Sequence, residues 1–151
     1  MAASRVDPYQ GFRFQVQIES LVVAGFSEVS GLSMELETED VPEGGVNSHA
    51  HRLPKRFSYP NLVLRRGMTD SPALVDWISA AVDGTIERKR GEVFMLDATG
   101  TAVWGWAFER AYPVTWTGPE LQADGQSVAM ESLELAHDGL STVSGLPEGR
   151  E

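Results

Sequence analysis

Alternation of apolar and polar side chains is the feature of this sequence that most restricts its fold. Near the N-terminus four apolar residues alternate with three polar ones, namely Phe12, Phe14, Val16 and Ile18 with Arg13, Gln15 and Gln17. Successive side chains of a β-strand point to opposite faces, so this pattern predicts a strand with one buried and one wetted face. The same period recurs over much of the chain and predicts a mainly β protein.

The final predicted strand contains a phase slip. Val128 and Met130 fall on one face of the strand, whereas Leu133 and Leu135 fall on the other. One extra residue near Glu131, a β-bulge, would bring all four apolar side chains to the same side.

One hairpin and one helix complete the predicted elements. Residues 92–110 alternate around a turn sequence and predict a hairpin. Ser71 can serve as N-cap and Pro72 as the first helical residue of a helix over residues 72–83. A single helix in an otherwise β chain is typical of a plug on a sheet or at a barrel end.

Length and charge exclude several classes of protein. The chain of 151 residues suits one domain, residues 1–151, with one core. It has no cysteine, and its formal charge of −10 argues against binding nucleic acid or anionic membrane surfaces as its main task. No apolar run is long enough to span a membrane, and the N-terminal residues lack the pattern of a signal peptide. We therefore expect release by another route, such as lysis.

Residues 39–59 are predicted to form an extended loop, because prolines and glycines interrupt any periodicity there. The start of this stretch and the residues before it carry only acids, namely Glu35, Glu37, Glu39, Asp40 and Glu43. Its second half carries only bases, namely Arg52, Lys55 and Arg56. Loops of this length are usually functional. Two interpretations are open: a solvated excursion, or an arm that becomes ordered against a neighbouring subunit.

The sequence offers no convincing catalytic or metal site. His49 and His51 lack a third ligand at a defined spacing, and no phosphate-binding loop or serine nucleophile motif occurs. We therefore predict no enzyme, no catalytic residue, no cofactor and no metal. Trp104, Trp106 and Trp116 favour core or interface burial. The alternative is a small β-barrel module that binds a carbohydrate or an apolar ligand.

Three stretches together resemble the tail tube family. They are residues 26–32 (FSEVSGL), residues 59–69 (YPNLVLRRGMT) and residues 106–140. This family comprises the inner-tube subunits of contractile phage tails and of extracellular contractile injection systems. It is related in fold to the haemolysin-coregulated protein of type VI secretion. The resemblance spans about residues 9–140.

The resemblance implies two packed antiparallel sheets that form a β-barrel or sandwich, with the helix alongside and a long inter-ring loop. Six subunits would form a ring, and rings would stack into a hollow tube that sheath contraction drives through a target envelope. The partners would be a sheath protein, baseplate hub and spike proteins, tube-terminating proteins, and an effector or DNA in the bore, without a direct membrane anchor. Assembly would occur in the cytoplasm of the producing cell. Residues 1–10 would be an arm, residues 39–59 the inter-ring loop and residues 140–151 a loose tail.

Opposite charges suggest how such rings would meet. A stack needs two different complementary surfaces on each subunit, and opposed charge sets orientation. The expected contact residues are Glu35, Glu37, Glu39, Asp40 and Glu43 on one surface and Arg52, Lys55, Arg56, Arg65 and Arg66 on the other, with residues 88–90 as a further basic group. The polar side chains expected to line the bore are Arg13, Gln15 and Gln17.

Overall fold

Strands account for most of the structure, a computed structural model that describes residues 11–19, 21–42, 50–118 and 128–143. Nine strands and one helix lie within these residues. In chain order they are β1 (Phe14–Ile18), β2 (Leu21–Ser30), β3 (Glu35–Pro42), β4 (Ala50–Ser58), β5 (Leu62–Thr69), α1 (Pro72–Val82), β6 (Lys89–Leu96), β7 (Ala102–Thr117), β8 (Val128–Ala136) and β9 (Gly139–Thr142).

Six of these strands close into an antiparallel barrel. Their order is β6, β1, β2, β5, β8 and β7, and β7 pairs with β6 to close the ring. β9 continues the line of β8 along the same edge of β7. The predicted mainly β fold is thus confirmed as a closed barrel, and the hairpin predicted over residues 92–110 is formed by β6 and β7.

β7 is long because its two halves pair with different strands. Its first half pairs with β6 and β9, and its second half pairs with β8. Arg110, between the halves, has a positive φ of 54°. Pro113 follows at a register shift against β8, a position where a residue without an N–H is tolerated. The strand therefore bends between its two partners.

The phase slip predicted in the last strand is present, and the neighbouring strand shares it. In β8, buried Met130 is followed by exposed Glu131 and then by buried Leu133. β5 changes phase across Arg66, whose φ is 54°. The pairing of β5 with β8 stays in register, because the two irregular residues lie between the same rungs of the ladder. The sheet can therefore bend here without losing its pairing.

The core fills the barrel and includes one face of the helix. Its largest fully buried side chains are Phe26, Phe108, Leu62, Leu64, Leu133 and Leu135. α1 contributes Leu74, Trp77 and Ile78 to the same cluster. Burial of such a side chain stabilises the fold by roughly 1.5–3 kcal/mol.

The start of α1 is fixed by hydrogen bonds to the end of β5. The hydroxyl of Ser71 accepts a bond from the N–H of Leu74, which confirms the predicted N-cap. Buried Thr69 donates its hydroxyl to the carbonyl of Val23 and accepts a bond from the N–H of Ser71. Among the described residues no helix is long and apolar enough to cross a membrane.

Most of the stretch predicted to be a loop instead forms a second, two-stranded sheet. β3 and β4 pair antiparallel from Glu35 opposite Ser58 to Pro42 opposite Ala50. They pack chiefly on each other. The sequence does not predict this sheet, because neither of its faces is buried in the subunit. Apolar and polar residues therefore do not alternate clearly along its strands. We call β3 and β4 the projecting hairpin.

Both ends of the chain were predicted to be extended. The arm expected over residues 1–10 lies outside the described residues. The tail expected to be loose from residue 140 is partly ordered, since Gly139–Thr142 forms β9 against β7.

The projecting hairpin and α1 leave the barrel at opposite ends. The hairpin joins the end of β2 to the start of β5, whereas α1 follows the end of β5. β2 and β5 are antiparallel, with Ser30 opposite Val63 near the hairpin and Gly25 opposite Met68 near the helix. At about 3.3 Å per residue, the eight residues of β5 separate the two ends by roughly 25 Å.

We expect Gly31, where β2 gives way to the projecting hairpin, to tolerate no side chain. Its φ is +88°, and an added Cβ would overlap the backbone carbonyl of Asn61. The Gly31→Ala variant should lose roughly 2–4 kcal/mol of unfolding free energy in urea denaturation, from steric overlap added to backbone strain. The matched control is Gly100→Ala, at a φ of +83° with open space around it, which should lose only about 1–2 kcal/mol. Equal losses would show that overlap with Asn61 is not the cause.

Candidate functional site: the projecting hairpin and its root

The structure brings the acidic and basic residues of the predicted contact together on one hairpin. Asp40 lies opposite Arg52, whose Nε is 3.6 Å from the Asp40 Oδ1. Lys55 Nζ is 4.0 Å from Glu39 Oε2. These acids and bases therefore lie side by side on one hairpin, because β4 folds back along β3, and their contact with another subunit stays a prediction. Exposed pairs of this kind contribute only about 0–1 kcal/mol each.

The remaining predicted contact residues fall in three places. Three are exposed on the projecting hairpin: Glu35, Glu37 and Arg56. Arg65 and Arg66 are exposed but belong to β5, in the barrel wall. Glu43 lies outside the described residues, as does His49. A role for any of them between subunits stays a prediction.

The sequence did not predict that the projecting hairpin exposes large apolar side chains. Leu36 and Phe57 lie opposite each other on one face, and Phe57 is 52% exposed. Val41 and Leu53 are exposed on the other face. The only indication in the sequence is a few large apolar residues among charged ones. This indication is weak, because the register that places them on the same face is not known from the sequence. Exposed apolar groups of this kind mark interaction surfaces.

The root of the projecting hairpin is tied to β8 and the residues after it. Buried His137 places Nε2 3.1 Å from the carbonyl oxygen of Pro60 and Nδ1 3.0 Å from that of Gly139. Its ring centroid lies 5.4 Å from that of Tyr59. Asn61 Nδ2 donates to a carboxylate oxygen of Glu134 at 2.9 Å. These contacts fix the point from which the hairpin projects.

The polar side chains of β1 face away from the core. Val16 and Ile18 are buried, whereas Gln15 and Gln17 are half-buried on the opposite face. Arg13, just before the strand, is exposed. The three polar residues therefore lie on the outer wall of the barrel, which is the side that a bore-lining role requires.

A concavity on that outer wall joins residues from both predicted groups. It has a volume of about 420 Å³ and lies against β1, β2 and β5. Arg13 and Arg65 line it together with Glu28, which lies opposite Arg65 in register. Because its lining carries charges of both signs, we expect this surface to be hydrated and not to prefer ions of one sign.

The basic residues 88–90 are neutralised within the subunit. Arg88 lies 3.9 Å from a carboxylate oxygen of Asp138, and Arg90 Nε lies 3.1 Å from one of Glu109. Lys89 is paired with nearby glutamates as well. They do not form a free basic patch.

The turn between β6 and β7 holds Asp97 as a carboxylate. Its Oδ1 accepts bonds from the Thr99 hydroxyl at 2.6 Å and from the N–H of Thr101 at 3.0 Å. The Thr99 hydroxyl bond, then the backbone bonds, hold the pKa of Asp97 below its ordinary value of 3.8. The contribution to stability is therefore present above that value and is lost as pH falls through the lowered pKa. The described residues contain no cluster of three or more potential metal ligands.

Trp104, Trp106 and Trp116 lie on β7, away from the two concavities found in the described part of the chain. Trp104 is exposed, and its ring centroid lies 6.2 Å from that of Trp106, which packs partly against the core. Neither these two residues nor Trp116 line the concavity against β1, β2 and β5 or the one beside α1. The alternative of a carbohydrate- or ligand-binding module is therefore not favoured.

Comparison with known proteins decides the family. Residues 10–141 match the model of the T4-like virus tail tube protein gp19 family. The chain belongs to this family. This tail tube protein is therefore a structural subunit of an inner tube, as the sequence resemblance implies. No curated protein sequence matches it significantly.

Solved structures share the fold of this tail tube protein at low sequence identity. A chain of the PVC sheath–tube complex of an extracellular contractile injection system, in its extended state, is 23% identical, with 95% of each chain covered and a TM-score of 0.66. A chain of the anti-feeding prophage baseplate is 22% identical, covering 95% of this chain and 97% of that one, with a TM-score of 0.63. Hcp1 from Flavobacterium johnsoniae is 15% identical, covering 91% of this chain and all of that one, with a TM-score of 0.52.

We expect His137 to hold the root of the projecting hairpin. The His137→Ala variant leaves the Pro60 carbonyl without its ring partner and should lose about 1–3 kcal/mol of unfolding free energy in urea. Amide hydrogen exchange should accelerate in residues 58–62 more than in β1. The control is Asn61→Ala, which removes an exposed hydrogen bond and should lose about 0.5–1 kcal/mol. Unchanged exchange at the root of the His137 variant would contradict this role.

Proposed function

We propose that six copies of this tail tube protein form a ring and that the rings stack head to tail into a hollow tube. Contraction of an outer sheath then drives the tube through a target envelope, and an effector or DNA passes along the bore. Family membership over residues 10–141 supports the tube, and the projecting hairpin supports the stacking.

The partners proposed for the tube are a sheath protein, baseplate hub and spike proteins, and tube-terminating proteins. Chains of similar fold come from a sheath–tube complex, a baseplate and a tube-terminating cap. We propose assembly in the cytoplasm of the producing cell and release as part of the particle. The role of this protein is mechanical.

The observation that carries the proposal is that the projecting hairpin has apolar side chains on both faces. Open-ended stacking requires each subunit to present a surface that fits a different surface on the next. Leu36 and Phe57 are exposed at one end of the barrel and are available to the next ring. The charged residues beside them, Glu39, Asp40, Arg52 and Lys55, form the hydrated rim of that contact. Residues 1–10 are proposed to reach the same neighbour.

The outer wall of β1 is proposed to line the bore. Gln15 and Gln17 are polar without charge, and Arg13 lies beside Glu28 in the concavity described above. A wetted wall without a strong field of one sign would let cargo slide without binding. A net charge of −10 per subunit makes the whole tube strongly acidic.

Removal of the projecting hairpin tests the stacking. Replacement of residues 36–57 by Asn-Gly joins Glu35 to Ser58, which lie opposite each other, through a two-residue turn. The core cluster contains no residue of β3 or β4, so the barrel should still unfold cooperatively. Negative-stain electron microscopy should show single rings or subunits and no tubes.

A matched variant separates the apolar contact from the charges. Asp40→Asn combined with Arg52→Gln removes an ion pair and keeps Leu36 and Phe57, so it should still form tubes. Leu36→Ser combined with Phe57→Ser should not. Normal tubes from the hairpin replacement would refute its role in stacking. Wild-type protein that forms neither rings nor tubes, even with sheath and baseplate proteins, would refute the proposed function.

Salt should have little effect on assembled tubes. At about 1 M NaCl the Debye length is only about 3 Å, so pairs between exposed charges are screened, whereas apolar contacts persist. The acids and bases of the projecting hairpin already pair within it. We therefore expect tubes to sediment equally in low salt and in about 1 M NaCl. Tubes that fall apart at high salt would show that charged pairs between subunits hold the rings together.

A further inference from the structure

A second exposed apolar surface lies at the end of the barrel opposite the projecting hairpin. It comprises Leu21 at the start of β2, Val82 at the end of α1 and Ile86 just beyond. Their exposed fractions are 66%, 76% and 49% respectively. We call these three residues the helix-end surface. Large aliphatic side chains exposed at the same end of a barrel are typical of a surface that a partner covers.

A small notch accompanies this surface. It has a volume of about 50 Å³, lies between α1 and the strands β1 and β2, and includes Leu21. Its other lining residues are Ile18, Glu19, Val23, Ala73, Leu74, Trp77 and Lys89. The notch is therefore mostly apolar and is large enough for the end of one apolar side chain.

The lysine at the rim of the notch is paired within the subunit. Lys89 Nζ lies 3.9 Å from a carboxylate oxygen of Glu19 and 3.8 Å from one of Glu87. An apolar side chain that enters the notch therefore does not leave Lys89 buried without a partner, which would be costly. The same holds at the projecting hairpin, where Asp40 pairs with Arg52.

The positions of the two surfaces determine how they can meet. They lie at opposite ends of β5, roughly 25 Å apart. Leu36 and Phe57 lie one residue from the root of the projecting hairpin, so these side chains cannot reach the helix-end surface of their own subunit. In a head-to-tail stack, the hairpin end of one subunit faces the helix end of the next. The two apolar surfaces therefore come together only between subunits of successive rings.

We infer that the helix-end surface receives the projecting hairpin of a second copy of this chain in the next ring. Leu36 and Phe57 pack on Leu21, Val82 and Ile86, and the notch takes the end of one of the hairpin side chains. This inference rests on the proposed function and specifies which surface of the neighbouring subunit completes the stack. The contact has an apolar centre and a rim of charges paired within each subunit.

Cysteine cross-linking tests this contact, because the chain has no cysteine of its own. Phe57→Cys is combined in turn with Leu21→Cys, Val82→Cys or Ile86→Cys, and assembled tubes are oxidised. A disulfide requires Cβ atoms about 3.5–4.5 Å apart, so at least one combination should give a ladder of covalent oligomers on a denaturing gel. The control combines Phe57→Cys with Val114→Cys, which is exposed on β7 and should give no ladder.

The outcomes separate the inference from the proposed function. Tubes that form but give no ladder with any of the three helix-end positions overturn the inference and leave the tube function intact. A ladder with Val114→Cys in place of these positions would put the hairpin against the barrel wall and would also overturn it. Failure of the cysteine-free wild-type protein to form tubes would reject the proposed function itself.

Charge substitutions give a second readout that does not depend on oxidation. Rings of Leu21→Asp keep an intact hairpin, and rings of Phe57→Asp keep an intact helix end. Each should fail to stack alone, whereas a mixture of the two preformed rings should give pairs of stacked rings. Normal tubes from Leu21→Asp alone would contradict the inference.

Discussion

Antiparallel pairing of β2 with β5 is the constraint on which the rest of this structure depends. Because the two strands run in opposite directions, the segment between them must leave and re-enter the barrel at the same end. The segment that follows β5 must then begin at the other end, where α1 starts. The pairing therefore gives the barrel two different ends, which is the requirement for open-ended stacking of identical subunits.

The barrel and helix could be predicted from the sequence because burial separates their faces. Val16 and Ile18 alternate with glutamines, and the stripe of α1 fills the core, so the periods of two and 3.6 are visible. The phase slip near Glu131 was visible for the same reason, since both sides of it are buried. The matching irregularity at Arg66 could not be predicted, because it depends on the register of β5 against β8, which a single sequence does not reveal.

The sequence identified the charged residues of the candidate site but did not predict the hairpin that they form. The runs of acids and bases drew attention to residues 35–58, yet they pair across a hairpin that their spacing does not reveal. Leu36 and Phe57 were missed because a strand without a buried face shows no clear alternation. The hairpin root was beyond prediction for another reason: His137 meets Pro60 across 77 residues of chain, and only barrel closure brings them together.

The charged and the apolar side chains of the projecting hairpin have different roles. A two-stranded sheet is marginally stable alone in water and has two free edges, which invite pairing with other strands. Hydrated ions such as Glu39 and Lys55 oppose such pairing, while their mutual attraction limits their effect on the correct contact. The net charge of −10 adds a general repulsion between subunits. The contact that we propose between rings therefore rests on matched apolar surfaces, and the helix-end surface is the partner proposed for the hairpin.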